Sequence, residues 1–339
     1  MDHAVDDDGD IFVYMGGIAP LHVMNAIIDK SVKEIDDEAF CSGSGSDGDE
    51  DNPNLHSVEF HAGVERIGDR ALAKCPALRR IKLPGVAIIG LGAFRVCTGL
   101  KDAEFGDKLE SIEDFAFYKC SNLKGVTIPS VRWIGPGAFC ECTSLTDAEF
   151  GEELEEFGLN AFYDCSALRR IAIPLKDDMF DYTTHYQSHN GILATIFSYT
   201  QFDGCTNLST VDLVGGIHET VASLLLEKWR NEMSEEINRI NRVLPVTGDD
   251  KTDAIRLWIQ SVIRNIEHYK TEHKKLLKEA TTILELALWK ATIDWSDGAI
   301  EEELVRITRG KAKRARRERH ITSGASIVIK NVLPFLQLK

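Results

Sequence analysis

No run of apolar residues in this 339-residue chain approaches the roughly 20 needed to cross a bilayer, so no membrane helix is expected. The opening MDHAVDDDGD has no lysine or arginine, whereas a secretory leader starts basic. No nucleophile and base stand at a catalytic spacing, no phosphate loop follows a strand, and no four-ligand metal pattern occurs. The chain is therefore expected to be non-enzymatic, without cofactor or metal, and intracellular: cytoplasmic, with the nucleus open if a basic cluster near its end is a targeting signal. Eight cysteines in such a compartment are expected to remain reduced thiols.

What is present is a globular composition, 43% hydrophobic, sufficient for a sizeable core. Its charge is unevenly spread. Residues 1–216 hold 17 Lys and Arg against 36 Asp and Glu, a net of −19, and residues 217–339 hold 22 against 18, a net of +4. This asymmetry predicts two domains of different character, after an acidic, disordered stretch at 1–10.

Six stretches share one spacing. Ile35, Ile67, Ile89, Ile112, Ile134 and Phe157 each stand four residues before Ala39, Ala71, Ala93, Ala116, Ala138 and Ala161. Phe40, Leu72, Phe94, Phe117, Phe139 or Phe162 follows, and in all but the first stretch come Cys75, Cys97, Cys120, Cys142 or Cys165 three residues on, then a leucine three beyond. The period alternates between 22 and 23 residues, which predicts a solenoid of six to seven rungs, each a short strand and a helical turn that cannot bury its apolar face alone. The strand follows the leucine, as in LRRIKLP, turning Ile81 and Leu83 or Val126 and Ile128 inward. The Cys140-x-Cys142 pair beside Gly135-Pro136-Gly137 invites a metal or redox reading, but Cys142 belongs to the repeated column and two cysteines do not make a structural zinc site.

These residues resemble the BspA-type leucine-rich repeats, whose pattern runs L-x-x-I-x-I-P-x-x-V-x-x-I-G-x-x-A-F-x-x-C-x-x-L. The match covers about residues 55–174, with degenerate rungs on both sides. The whole chain, including YMGG near the start and LELALWK and VIKNVLPFLQL near the end, is similar to a group of algal leucine-rich-repeat proteins. The resemblance implies a binding scaffold and carries over no catalytic residue.

DAEFG occurs at 102–106 and again at 147–151, so the true unit is a pair of rungs. Arg80 and Lys82 on one rung should face Asp102 and Glu104 on the next, and Asp147 and Glu149 should face Arg169 and Arg170, giving a face that neutralises itself. Such a face lacks the continuous basic stripe of a nucleic-acid groove and suits a protein partner instead. Insertions interrupt the array at 41–54 and 175–195. The second gathers aromatic and imidazole side chains, of which Phe180, Tyr182, His185, Tyr186 and His189 are the candidate partner-binding residues, since irregular segments on a rigid scaffold carry binding. His185 and His189 have helical metal spacing, but the surrounding Gly, Ser, Thr and Asn favour a loop.

Residues 217–339 are expected to be all-α. A seam at Ile255, Ile259, Val262, Ile266, Tyr269, His273, Leu276, Ala280, Ile283 and Ala287 predicts a long helix or a close pair in a coiled-coil-like bundle. Leu226, Trp229, Met233 and Ile240 supply a second seam, and PVTGDD a turn between them. A third helix is expected from near Asp297. It ends in the cluster Lys311, Lys313, Arg314, Arg316, Arg317 and Arg319, read as a solvated helix end, a docking or targeting element, or a nucleic-acid contact. The fold class is thus α+β, a leucine-rich-repeat solenoid followed by a helical region. The leading function is a protein-interaction scaffold that docks an unidentified protein and can self-associate through the C-terminal helices, with nucleic-acid binding through 311–319 as the alternative.

Overall fold

A computed structural model describes residues 11–41, 52–180, 200–244 and 251–305, with side chains through residue 291. Its first part is a stack of rungs held by parallel pairing. One face is built from β1 (Ile11–Tyr14), β2 (Asn25–Ile28), β4 (Ser57–Glu59), β6 (Arg80–Leu83), β8 (Asp102–Phe105), β10 (Gly125–Ile128), β12 (Asp147–Phe150), β14 (Arg170–Pro174) and β15 (Thr210–Val214). They pair as β1-β2-β4, β6-β8 and β10-β12-β14-β15. Alternation places Ile81, Leu83, Val126 and Ile128 in the core as expected.

The residue that opens each step, isoleucine in five stretches and Phe157 in the sixth, is itself in a strand. β3 (Glu34–Ile35), β5 (Arg66–Ile67), β7 (Ile88–Ile89), β9 (Ser111–Ile112), β11 (Trp133–Ile134) and β13 (Glu156–Phe157) form a second parallel sheet, in order β13-β11-β9-β7-β5-β3. The rest of the step is a run of turns closed by i to i+3 bonds, such as Ala71 N–H to the Gly68 carbonyl at 3.3 Å, rather than a helix. Bonds between rungs continue through these turns: Phe94 N–H donates to the Ala116 carbonyl at 2.8 Å, Phe117 to Ala138 at 2.7 Å and Phe139 to Ala161 at 2.8 Å. The alanines are small because backbone approaches backbone here.

Inside the stack, ring packs on ring. Phe94 and Phe117 have centroids 5.1 Å apart, Phe117 and Phe139 5.3 Å, Phe139 and Phe162 5.4 Å, and Phe162 and Phe202 5.6 Å, all nearly parallel. These spacings slightly exceed the ~4.8 Å between paired strands, so the backbone ladder sets the ring ladder, and each pair adds about 0.5–1.5 kcal/mol beyond burial. The thiols are equally ordered. Cys97 donates to the Leu72 carbonyl at 3.0 Å, Cys120 to Phe94 at 3.2 Å, Cys142 to Phe117 at 3.2 Å, Cys165 to Phe139 at 3.1 Å and Cys205 to Phe162 at 3.1 Å. A buried residue that is small and still offers a weak donor fits this column as alanine would not.

Four helices follow: α1 (Ile217–Ala222), α2 (Glu227–Ile237), α3 (Ile240–Val243) and α4 (Thr252–Val305). The chain divides into compact units at 271/272, not where strands give way to helices near 216. The reason is that the first helices close the solenoid's end. Thr252 Oγ1 accepts the N–H groups of Gln201 at 2.9 Å and Phe202 at 3.0 Å, and Asn241 Oδ1 accepts that of Val211 at 2.9 Å. Met233, Ile240, Ile255, Trp258, Ile259 and Val262 are buried.

Three expectations about this region need correction. Leu226 of the second seam is exposed, because Leu224 takes the buried position. In α4 the seam is buried through Ile266, while Ile283 and Ala287 are exposed. The helix also passes through Asp297 and Gly298 without interruption, so no separate third helix starts there. The turn PVTGDD lies outside the described residues.

Candidate functional site on the turn face

The five rungs from Ile67 to Phe157 each carry two residues in the left-handed backbone region, one before the alanine or leucine step and one before the cysteine, and the flanking rungs of Glu38 and Gly204 carry one each among the described residues. The first column is Glu38, Arg70, Gly92, Phe115, Gly137 and Asn160, and the second is Lys74, Val96, Lys119, Glu141, Asp164 and Gly204. Glycine, asparagine and polar residues are the usual occupants of such positions. Val96 (φ +60°) and Phe115 (φ +55°) are not, and a branched or bulky side chain there costs about 1–3 kcal/mol.

Both exceptions adjoin Tyr118, whose carbonyl accepts Val96 N–H at 2.7 Å, and among the described residues Phe115 and Tyr163 are the solenoid's most exposed aromatics. Phe115 is 36% exposed and Tyr163 38% exposed. The Phe115 ring meets Tyr118 edge-on at 5.9 Å and lies over Gly137, the next rung's glycine in the same column. The Arg95 guanidinium sits 5.5 Å from the Tyr118 ring centroid and the Lys119 ammonium 5.0 Å, within cation–π range. Tyr118 donates to Glu141 at 3.0 Å, and Lys119 pairs with the same carboxylate at 3.5 Å. Partial burial first, and then the Glu141 carboxylate, hold the Tyr118 phenol above its ordinary value, with Lys119 working against them. The phenol therefore stays a donor at neutral pH. The result is a patch of ring faces, one cationic fork and fixed polar groups, with no acid–base pair poised for chemistry.

Cys140 lies in the column between Tyr118 and Tyr163, at the buried base of this patch. Its thiol is pushed up to about 12 by burial and by the Glu141 and Asp164 carboxylates, which suppresses the thiolate needed for nucleophilic or metal chemistry. Cys142 is turned into the core and bonded to the Phe117 carbonyl. Among the described residues no three His, Cys, Asp or Glu side chains stand close enough to hold a metal ion. Nor, among those residues, is any helix long and apolar enough to cross a membrane.

The strand face behaves as its charge pattern predicts. Arg80 meets Asp102 at 3.3 Å, Lys82 meets Glu104 at 2.8 Å, and Arg170 lies between Glu149 at 3.3 Å and Asp212 at 2.6 Å. Each pair is exposed and weak, and together they leave this face without a field of one sign.

Phe180, expected at a partner-binding surface, is a correction. It is 3% exposed, stacked on Phe157 at 6.0 Å and set against Phe202 at 6.2 Å. With the neighbouring Met179, also buried, it carries the aromatic core across the start of the insertion. Tyr182, His185, Tyr186 and His189 lie outside the described residues, as do Lys311, Lys313, Arg314, Arg316, Arg317 and Arg319. An open cleft of about 340 Å³ beside the insertion's root is lined by Leu175, Lys176, Ile217, Ile263, Glu267 and Lys270 among others; its mixed lining offers no single ligand chemistry. The patch around Phe115 was missed in the sequence, where Phe115-Ala116-Phe117 reads as one more core step. The signal available was an aromatic in a column otherwise filled by Glu, Arg, Gly and Asn.

Stacked parallel rungs with a leucine, an aromatic and a thiol column define a leucine-rich-repeat solenoid. The chain belongs to the BspA type leucine rich repeat family, whose model matches six copies over residues 21–129 and 65–191. Among solved structures it is similar to the Treponema pallidum leucine-rich repeat protein TpLRR, 24% identical over 64% of this chain and 84% of that one, with a TM-score of 0.37. It is also similar to the pneumococcal vaccine antigen PcpA, 18% identical over 64% of this chain and 66% of that one, TM-score 0.30, and to a leucine-rich repeat protein from Bacteroides ovatus, 20% identical over 57% and 61%, TM-score 0.23. None of the curated proteins matches the chain. Repeats of this family typically serve non-enzymatic protein interaction.

Proposed function

We propose that the protein is a non-enzymatic interaction scaffold, working in a reducing compartment, whose solenoid binds a protein partner through the turn face centred on Arg95, Phe115, Tyr118 and Tyr163. The observation that carries this reading is Phe115, held in a left-handed backbone conformation and still 36% exposed. The left-handed turn itself belongs to the repeat, and what sets Phe115 apart is a bulky ring placed on it and left in contact with water. Left-handed strain disfavours a bulky residue, and water contact forfeits part of the ring's burial. Aromatic and arginine side chains on a rigid support are the composition of binding hot spots, because little conformational freedom remains to be lost on association.

The test compares two surfaces of the same fold. A Phe115→Asn, Tyr118→Ala variant should lose the proteins that wild type captures, and Lys82→Ala on the strand face should keep them. Asparagine suits the left-handed backbone, so the first variant should remain folded. Equal capture by both variants would remove the turn face from the function.

A further inference from the structure

The rungs repeat in pairs, and two successive pairs furnish the same aromatic position differently. A step of 45 residues leads from Arg95 to Cys140, from Val96 to Glu141, from Tyr118 to Tyr163 and from Lys119 to Asp164. The backbone is the same in both pairs. Val96 N–H donates to the Tyr118 carbonyl at 2.7 Å and Glu141 N–H to the Tyr163 carbonyl at 2.7 Å, so Cys140 stands against Tyr163 as Arg95 stands against Tyr118. What differs is charge. The Tyr118 ring has the Arg95 guanidinium 5.5 Å and the Lys119 ammonium 5.0 Å from its centroid. In the second pair a short thiol replaces the guanidinium, a carboxylate replaces the ammonium, and Glu141 stands where the first pair has valine. Among the described residues no cation lies within cation–π range of Tyr163, and the Asp164 carboxylate has neither a hydrogen bond nor an ion pair. Tyr163 is nevertheless the more exposed of the two rings, and an aromatic face attracts a cation. The carboxylates converge on the vacant position: after burial, Glu141 and Asp164 raise the Cys140 thiol, with Lys119 opposing them.

We propose that the second pair takes an arginine side chain of the bound protein, which lies over Cys140 with its guanidinium on the Tyr163 ring and its donors directed to Asp164, as Arg95 lies on Tyr118. This inference rests on the reading of the turn face as a protein-binding surface, and it names the residue type that the surface recognises. Cysteine is several atoms shorter than arginine, which leaves room over it for a side chain from outside. Arginine is favoured over lysine because a planar guanidinium stacks on a ring and offers paired donors to a carboxylate at once, whereas an ammonium is a compact, strongly hydrated charge. Net charge favours the same occupant at longer range, since residues 1–216 hold 17 Lys and Arg against 36 Asp and Glu, a net of −19, and such a field steers a cationic segment toward the solenoid. The position beside Tyr163 adds what net charge lacks, a place where one cation is both stacked and paired.

The probe is acetyl-Gly-Arg-Gly-amide, compared on the full chain with the same peptide carrying citrulline, which keeps the shape of arginine and loses its charge. In an NMR titration read at the Tyr163 ring signals, the arginine peptide should bind about tenfold more tightly than the citrulline peptide. Asp164→Asn should remove most of that preference, and Lys82→Ala on the strand face should leave it unchanged. Cys140→Arg supplies a guanidinium from within the chain, so it should abolish binding of the arginine peptide. Equal affinity of wild type for the two peptides, or an arginine preference that survives both Asp164→Asn and Cys140→Arg, would overturn the proposal, and the wild-type comparison decides it without any variant having to fold. If Phe115→Asn with Tyr118→Ala loses partner capture while the arginine peptide does no better than the citrulline peptide, the turn face keeps its role and this inference alone falls.

Discussion

The Phe115 ring occupies the space that a side chain at Gly137 would need: a Cβ built at Gly137 would stand 2.5 Å from the Phe115 Cε1 atom. Gly92 has nearly the same left-handed backbone, φ +58° against +62°, yet a Cβ there would meet only the Arg70 and Arg95 side chains at 3.6 Å. Replacing either glycine by alanine should cost about 1–2 kcal/mol for the left-handed backbone alone. Gly137→Ala must also displace the ring, so it should lose partner capture while Gly92→Ala keeps it. Thermal unfolding and capture on the two variants separate backbone strain from ring position.

The thiol column predicts a pH dependence. Burial first, with neighbouring thiols adding to it, holds Cys120 and Cys165 well above the ordinary thiol value, and burial raises Cys142 as well. A thiol whose folded pKa is raised stays protonated in the native state while the unfolded chain ionises, so above the ordinary value of 9.0 the unfolded state binds fewer protons and stability falls with rising pH. The contribution is complete below that value and is lost on the way to the folded pKa, which for Cys140 is about 12. Denaturant midpoints measured between neutral pH and about pH 10 should decline, and the decline should shrink in a Cys120→Ala, Cys142→Ala background. Native protein should also react slowly with a thiol reagent at neutral pH, and all eight cysteines should react after denaturation.

Phe180 predicts a loss of stability instead of binding. Its ring is buried and stacked on Phe157, so Phe180→Ala should destabilise by about 3–5 kcal/mol through lost transfer energy and the cavity left behind. Chemical denaturation measures this directly. A change below about 1 kcal/mol would place the ring at the surface after all.

What the sequence disclosed follows from how many rungs repeat a constraint. Alanine, phenylalanine and cysteine recur because each position is fixed by close backbone approach, ring stacking or a thiol-to-carbonyl bond, and the pairing of Arg80 with Asp102 was readable because parallel register aligns equal positions. Phe180 was misread because it continues the aromatic ladder from outside the spacing, and only three-dimensional proximity to Phe157 and Phe202 identifies it. Phe115 was hidden for the opposite reason: its spacing is regular, and what distinguishes it is a backbone angle. In α4 the seam from Ile255 to Ala287 is continuous in sequence, but burial also needs a surface to cover, and among the described side chains of the helix the buried positions end at Ile266.

Gln201 yields the last prediction. It stands where the other rungs hold alanine, and Phe162 N–H donates to its carbonyl at 3.0 Å as Phe139 N–H does to that of Ala161. The backbone role is therefore kept, and the side chain is the anomaly. It is fully buried, and neither its amide nitrogen nor its amide oxygen has a hydrogen-bond partner among the described residues. An unmet buried amide costs about 1–3 kcal/mol. Methionine has similar length and volume, no polar atom, and enough flexibility to fill the same space. Gln201→Met should therefore stabilise the protein by about 1 kcal/mol, raising the unfolding midpoint by roughly 2–4 °C, whereas Gln201→Ala trades the unmet amide for a cavity and should gain less or lose stability. Differential scanning calorimetry on the two variants decides between them, and a lower midpoint for Gln201→Met would mean that the amide makes a bond worth more than its burial costs.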